Sequence, residues 1–260
     1  MADEPAIRVE GLWEGYQVKS QRGWRRGEIR WALEDVNFEV AQGEILGVIG
    51  GNGSGKSTLL LCVAGVLKAT RGQVTTRGRV ASLVELQAGF NRELTGKENA
   101  LTTGVLGGMS RKEVRARYPE ILEFAGLSED TMNSPLRTYS QGMRLRVGFS
   151  VTVHSDPSVL LVDEVLAVGD EGFQQKCLQK VSDMRRDGCG VLLVSHDLDL
   201  VVKECDRVAV LIDGKIEHLG TPAESVALYR EITGGDPDEQ NFGGRAYSGK
   251  GMRRAQRRGV

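Results

Sequence analysis

The densest chemistry in the chain lies in Gly50-Gly51-Asn52-Gly53-Ser54-Gly55-Lys56-Ser57. This stretch fits GxxxxGK[ST], where glycines let the backbone wrap a phosphate chain with its N–H groups turned inward. Glycine in an ordered region costs stability, so six of them between residues 47 and 65 need a reason. Lys56 is placed to reach the β- and γ-phosphates, and Ser57, followed by Thr58, to offer a hydroxyl to Mg²⁺. The competing reading is an ordinary Gly-rich turn. An apolar run before the loop and a helix-like run after it argue against that reading.

Three other places carry reactive side chains. The run VLLVDE delivers Asp163 and Glu164 to a strand end. Ligands bind at the carboxyl ends of strands in open α/β sheets. There Asp163 suits the orientation of Mg²⁺ and its waters, and Glu164 the alignment or deprotonation of an attacking water. The run GVLLVSH ends on His196, which is either a polar end residue or a hydrogen-bonding partner of the γ-phosphate and the water. In TYSQGMRLRVGFSVTV, residues 138–153, Ser140 and Gly142 precede a helix-like run. They are either an anion site with free N–H groups or an ordinary N-cap.

These groups need elements to hold them. Strand-like runs at 7–12, 36–40, 44–50, 159–164 and 190–196 alternate with helix-like runs, which predicts an α/β fold. The last three are nearly all apolar, as buried parallel strands should be. Asp213-Gly214 predicts a hairpin between two strand-like runs in 207–220. Capping boxes at Thr95/Glu98 and Ser110/Glu113, and the cap Thr221-Pro222-Ala223-Glu224, predict helix starts. Residues 90–155 read as a helical insertion without strands. Two stretches break the pattern. Residues 17–31 carry basic side chains and two tryptophans; residues 234–260 are rich in Gly and Arg and read as a disordered tail.

The 260 residues allow one large domain or two small ones, and a formal net charge of −1 leaves no global field to attract nucleic acid. No apolar run is long enough to span a bilayer, and the acidic start MADEPAIRVE is unlike a signal peptide, so a cytoplasmic location is expected. Cys62, Cys177, Cys189 and Cys205 form no CxxC and read as reduced, partly buried thiols.

Taken together, the order of phosphate loop, Ser140-Gln141-Gly142-Met143, Asp163-Glu164 and His196 resembles an ABC-type ATPase subunit. The four-residue stretch resembles the LSGGQ signature, with Gln in place of the first Gly and Met in place of Gln. ELQAGFNRELTGKENA, YSQGMRLR and DEVLAVGDEGFQQKC resemble the ATPases of polysaccharide exporters of the Wzt and teichoic-acid type, over about residues 7–232.

The resemblance implies a P-loop NTPase fold: an ABC-type nucleotide-binding domain over 1–232, with a mixed sheet and a helical subdomain at about 90–155. A membrane-proximal insert at about 17–31 and a basic tail at 233–260 complete the chain. It implies ATP and Mg²⁺, and two copies binding two ATPs head to tail. Gly50, Asn52, Gly53, Ser54, Gly55, Lys56, Ser57 and Thr58 would hold ATP. Ser140, Gln141, Gly142 and Met143, with Asp170 as the D-loop carboxylate, would act on the partner copy's ATP. Tyr16 matches the aromatic that stacks on adenine. Glu164 and His196 would be catalytic, and Ser57, Asp163 and Gln87 would ligate the metal, with Glu85 the alternative to Gln87. Trp24-Arg25-Arg26 and Arg30-Trp31 are expected to face the membrane interface or a lipid pyrophosphate headgroup, against the alternative of a solvated loop.

The implied function is energising export of a lipid-linked polysaccharide through a separate membrane-spanning permease, at the cytoplasmic face of the membrane. No nucleic-acid partner is expected, and no C-terminal carbohydrate-binding domain. Alternatives are a soluble ABC ATPase acting on nucleic acid or ribosomes, and an importer ATPase.

Overall fold

Period-two alternation in the most apolar runs decides how the layers stack. In β3 (Ile45–Ile49), Ile45 and Ile49 enter one core while Leu46 and Val48 enter another. The same split occurs in β6 (Val159–Val162), β7 (Gly190–Val194) and β8 (Arg207–Ile212). A strand buried on both faces must be apolar at every position, which is why these runs look continuous in sequence. Each fully buried Leu or Val contributes about 1.5–3 kcal/mol. The computed structural model describes residues 4–17, 29–84, 89–163 and 170–234.

The main sheet has strand order β5-β6-β7-β3-β8-β9, with β5 at Val80–Ser82 and β9 at Lys215–Gly220. Its first five strands are parallel and β9 is antiparallel, so the sheet is mixed. A second sheet is antiparallel, ordered β2-β1-β4, from β1 (Ile7–Gln17), β2 (Ile29–Val40) and β4 (Arg71–Thr76). One core lies between the two sheets, with helix α1 (Lys56–Val63) in it. The other lies between the main sheet and helices α5 (Gln141–Val153), α6 (Glu171–Arg186), α7 (Leu198–Glu204) and α8 (Pro222–Thr233).

Between β5 and β6 the chain forms α2 (Gly96–Leu106), α3 (Arg111–Ala125), α4 (Glu129–Met132), a 3-10 turn at Leu136–Thr138, and α5. These pack around a third core that includes Met109, Ile121, Met132 and Leu136. Among the described residues, no strand lies in this stretch. The capping boxes at Thr95, Ser110 and Thr221 all form. Asp213 (φ 45°) and Gly214 (φ 81°) make the tight turn between β8 and β9.

The structure departs from the sequence reading in 17–31. Gln17 pairs with Ile29, Tyr16 with Arg30 and Gly15 with Trp31, so the ends of this stretch are a strand ladder. Arg30-Trp31 therefore stands in a strand and not in a loop. The Trp31 ring meets Trp13 edge-on at 5.2 Å, and the Arg71 guanidinium lies 5.4 Å from the Trp31 ring centre. Packing two half-buried aromatic rings and the Arg71 guanidinium against one another on the sheet favours strand here. Trp24, Arg25 and Arg26 lie outside the described residues, as do Glu85, Gln87, Glu164 and the tail from 235 onward.

Candidate functional site

Strands β6, β7 and β3 are neighbours and parallel, so their carboxyl ends lie side by side. The loop 50–55 leaves β3, Asp163 follows β6, and Ser195 and His196 follow β7. A cavity of about 840 Å³ opens at this edge. Its walls include Tyr16, Asn52, Gly53, Gly55, Lys56, Ser57, Thr58 and Asp163. Residues from the antiparallel sheet, from the loop and helix that follow β3, and from the end of β6 thus share one space.

The loop's glycines have two different reasons. A Cβ on Gly50 would sit 2.2 Å from the Leu211 carbonyl oxygen. A Cβ on Gly55, whose φ is 109°, would sit 2.5 Å from the Ala32 carbonyl oxygen. These two let the loop lie directly on the backbones of β8 and β2. Beside Gly53, by contrast, a Cβ would meet nothing within 4 Å, so bare backbone faces open space there.

Three features fit a phosphate chain. The Lys56 ammonium donates to the carbonyls of Gly50 at 2.7 Å and Gly51 at 3.0 Å, which holds a positive charge over the loop. Helix α1 starts at Lys56 with no side chain capping its first N–H groups. Those groups and the helix dipole favour an anion. Finally, the buried Ser54 hydroxyl has no hydrogen-bond partner among the described residues. No group of three or more His, Cys, Asp or Glu among the described residues could hold a metal alone. A divalent cation here would instead draw on Ser57, Asp163 and the oxygens of a bound phosphate chain, a common arrangement for Mg²⁺.

Tyr16, at the end of β1, is half exposed, and its hydroxyl lies 3.2 Å from Thr58 Oγ1. Glu14, two residues earlier, was not foreseen. It is buried and accepts hydrogen bonds from the Thr70 N–H at 2.9 Å and the Thr70 hydroxyl at 2.8 Å. That pins β1 to the loop after α1, and so fixes Tyr16 relative to the phosphate loop. The signal was an acid at an inward position of an alternating strand. Arg30, Trp31, Glu34 and Asp213 also line the cavity and were not foreseen as site residues.

The remaining expected residues stand elsewhere. His196 is exposed at the end of β7, just before the Asp197 N-cap of α7. Ser140, Gln141, Gly142 and Met143 begin α5, and the Ser140 hydroxyl accepts the Met143 N–H at 3.2 Å as an N-cap. Asp170 caps α6 by accepting the Phe173 N–H at 3.0 Å, and it pairs with Arg146. The Phe173 N–H first, and Arg146 after it, hold the Asp170 carboxyl below the usual carboxylate range. None of these six lines the 840 Å³ cavity of its own chain. All four cysteines are buried and free. Burial pushes the Cys62 thiol up to about 11 and those of Cys177, Cys189 and Cys205 up to about 12.

A family model described as ABC transporter matches residues 33–167. The chain is 46% identical over 206 residues to the O-antigen export system ATP-binding protein RfbB of Klebsiella pneumoniae, covering 79% of this chain and 83% of that protein. It is 42% identical over 214 residues to RfbB of Myxococcus xanthus, covering 82% of this chain and 49% of that protein. It is 40% identical over 225 residues to the teichoic acids export ATP-binding protein TagH of Listeria monocytogenes serotype 4b, covering 86% of this chain and 64% of that protein. Among solved structures, the ATP binding subunit of an ABC transporter superposes with a TM-score of 0.72 at 26% identity, covering 88% of this chain and 94% of the other. A bacterial ABC transporter cassette solved as a dimer gives a TM-score of 0.70 at 26% identity, covering 83% and 98%.

Proposed function

The chain belongs to the ABC transporter family, as an ABC-type P-loop ATPase, and from that premise we propose that it powers export of a lipid-linked polysaccharide across the cytoplasmic membrane. The observation that carries the site reading is the cavity shared by Tyr16, the phosphate loop and Asp163. The observation that favours this cargo class is the 46% identity to an O-antigen export ATP-binding protein over 83% of that protein's length. No helix among the described residues is long and apolar enough to cross a membrane. In this reading translocation runs through a separate membrane-spanning permease, with this chain at the membrane's cytoplasmic face. We take 1–232 as the ATPase domain.

In this reading Tyr16 stacks on adenine, while Lys56 and the N–H groups of residues 53–58 hold the phosphates. Lys56 exchanges its two carbonyl acceptors for phosphate oxygens, and charge-assisted bonds of this kind are roughly twice as strong as neutral ones. Ser57 and Asp163 would hold Mg²⁺, with Gln87, or Glu85 in its place, as third ligand, and the ion would supply positive charge to the β- and γ-phosphates. Glu164 orients the attacking water and takes its proton; His196 hydrogen-bonds the γ-phosphate. Ser140, Gln141, Gly142 and Met143 act on the ATP held by the other copy, as does Asp170. None of them lines the cavity of its own chain, which supports a role in trans. ATP bridging two copies favours the closed dimer through differential affinity, and hydrolysis removes that preference.

The test is capture from membranes with Glu164→Gln as bait, which should bind ATP and stay dimeric. Retention of a polytopic membrane protein encoded among glycan-assembly enzymes supports the reading. Retention of ribosomes or nucleic acid without a membrane protein overturns it, and retention with an extracytoplasmic binding protein points to an importer.

A further inference from the structure

Tyr16 and Arg30 stand directly opposite each other in the antiparallel ladder of β1 and β2. Such partners project from the same face of a sheet, with Cβ atoms about 4.5–5.5 Å apart. Both line the 840 Å³ cavity. Tyr16 is anchored to α1 through Thr58 Oγ1 at 3.2 Å. Arg30 is exposed, and among the described residues no carboxylate pairs with it. Glu34 lines the same cavity, but its carboxylate is taken by Lys215 at 3.1 Å.

The backbone that carries Arg30 is held in register by its neighbours. Gly15 pairs with Trp31, and a Cβ on Gly15 would stand 2.6 Å from Ile29 Cγ2 and 2.8 Å from Trp31 Cε3. The bare glycine lets the side chains on either side of Arg30 close over β1. The Trp31 ring rests edge-on against Trp13, with ring centres 5.2 Å apart, and the Arg71 guanidinium lies 5.4 Å from the Trp31 ring centre. Successive strand residues point to opposite faces, so fixing Ile29 and Trp31 also fixes where Arg30 leaves the ladder. An aromatic ring and a planar cation thus stand side by side on one wall of the cavity.

We propose that Arg30 is a base-recognition residue: its guanidinium covers the face of the nucleobase opposite to the face stacked on Tyr16, so that the base is held from two sides. This deepens the ATPase reading above and rests on the stacking role given there to Tyr16. Arginine suits the position because its plane stacks on aromatic faces and is weakly hydrated, whereas a lysine ammonium is a compact, strongly hydrated point charge. A purine offers a larger face to stack than a pyrimidine, so a two-sided clamp favours adenine over uracil. A contact from Arg30 to the phosphates would be blind to the base.

The experiment measures equilibrium binding of Mg²⁺-ADP and of Mg²⁺-UDP to the full chain by titration calorimetry. The parent should prefer ADP. Arg30→Ala should weaken ADP binding about five- to tenfold and UDP binding about twofold or less, which narrows the preference. Arg30→Lys should behave more like Arg30→Ala than like the parent. Tyr16→Ala should narrow the preference too. Adding Arg30→Ala to it should cost less than the product of the two single effects, because a base freed from Tyr16 gives Arg30 less to hold. The midpoint of unfolding of Arg30→Ala without nucleotide should stay within a few degrees of the parent, as for an exposed side chain. Equal losses for ADP and UDP would assign Arg30 to the phosphates and overturn the proposal. Unchanged binding of both would overturn it too, and loss of export in that variant would then place Arg30 at the membrane interface. Loss of ADP binding in Arg30→Ala with none in Tyr16→Ala would overturn the two-sided clamp. A parent chain that binds neither diphosphate would refute the underlying ATPase reading instead.

Discussion

Tyr16 and Thr58 meet across the opening of the cavity, with Tyr16 Oη 3.2 Å from Thr58 Oγ1. The contact joins the last turnward residues of β1 to the first turn of α1, the helix that begins at Lys56. An aromatic ring is thereby held beside the phosphate loop before any nucleotide arrives.

Tyr16→Ala should therefore weaken ATP binding. Stacking of a base on an aromatic side chain contributes about 1–3 kcal/mol, so KM should rise about tenfold with kcat little changed. Tyr16→Trp should keep most of the affinity. Steady-state hydrolysis over a range of ATP concentrations reads both; an unchanged KM in Tyr16→Ala would remove the residue from the site.

Gly55→Ala should damage the loop itself. The added Cβ would stand 2.5 Å from the Ala32 carbonyl oxygen, at a φ of 109° that side chains rarely adopt. Strain of this kind costs on the order of 1–3 kcal/mol. Thermal unfolding should shift down and nucleotide binding should fall together. At Gly53, where a Cβ meets nothing within 4 Å, alanine faces only the cost of φ 80°. Comparing the two variants separates close packing from backbone conformation.

The cysteines give a pH prediction. Burial raises all four thiols from the ordinary 9.0, to about 11 for Cys62 and about 12 for the others. Each folded value exceeds its unfolded one, so the native state holds protons that the unfolded chain releases. Their contribution to stability is fully present below about pH 9 and is lost as pH rises through 11 to 12. At neutral pH the thiols should alkylate slowly with iodoacetamide in the folded chain and quickly in denaturant. Rapid alkylation of the folded chain would contradict the burial.

Much of this molecule is legible from residue order alone. The phosphate loop, the Asp163 strand end and the three capping boxes rest on local rules, and local rules survive folding. The 17–31 stretch misled at its ends because its charges suggest a loop, while Trp31 packs edge-on against Trp13 within a strand ladder. Glu14 was missed for another reason. Its role depends on Thr70, a partner that is distant in sequence and adjacent only after the layers stack. Strand β5, with three residues, carries too few positions for a period to register.

The most direct test replaces the chain in its source cell with Lys56→Ala and follows the lipid-linked polysaccharide. The account predicts that glycan is still assembled but accumulates on the cytoplasmic side, out of reach of a glycan-binding probe added outside, while the variant chain remains folded and membrane-associated. Normal display of the glycan at the surface in cells holding only Lys56→Ala would contradict the claim that ATP bound at this loop drives its export.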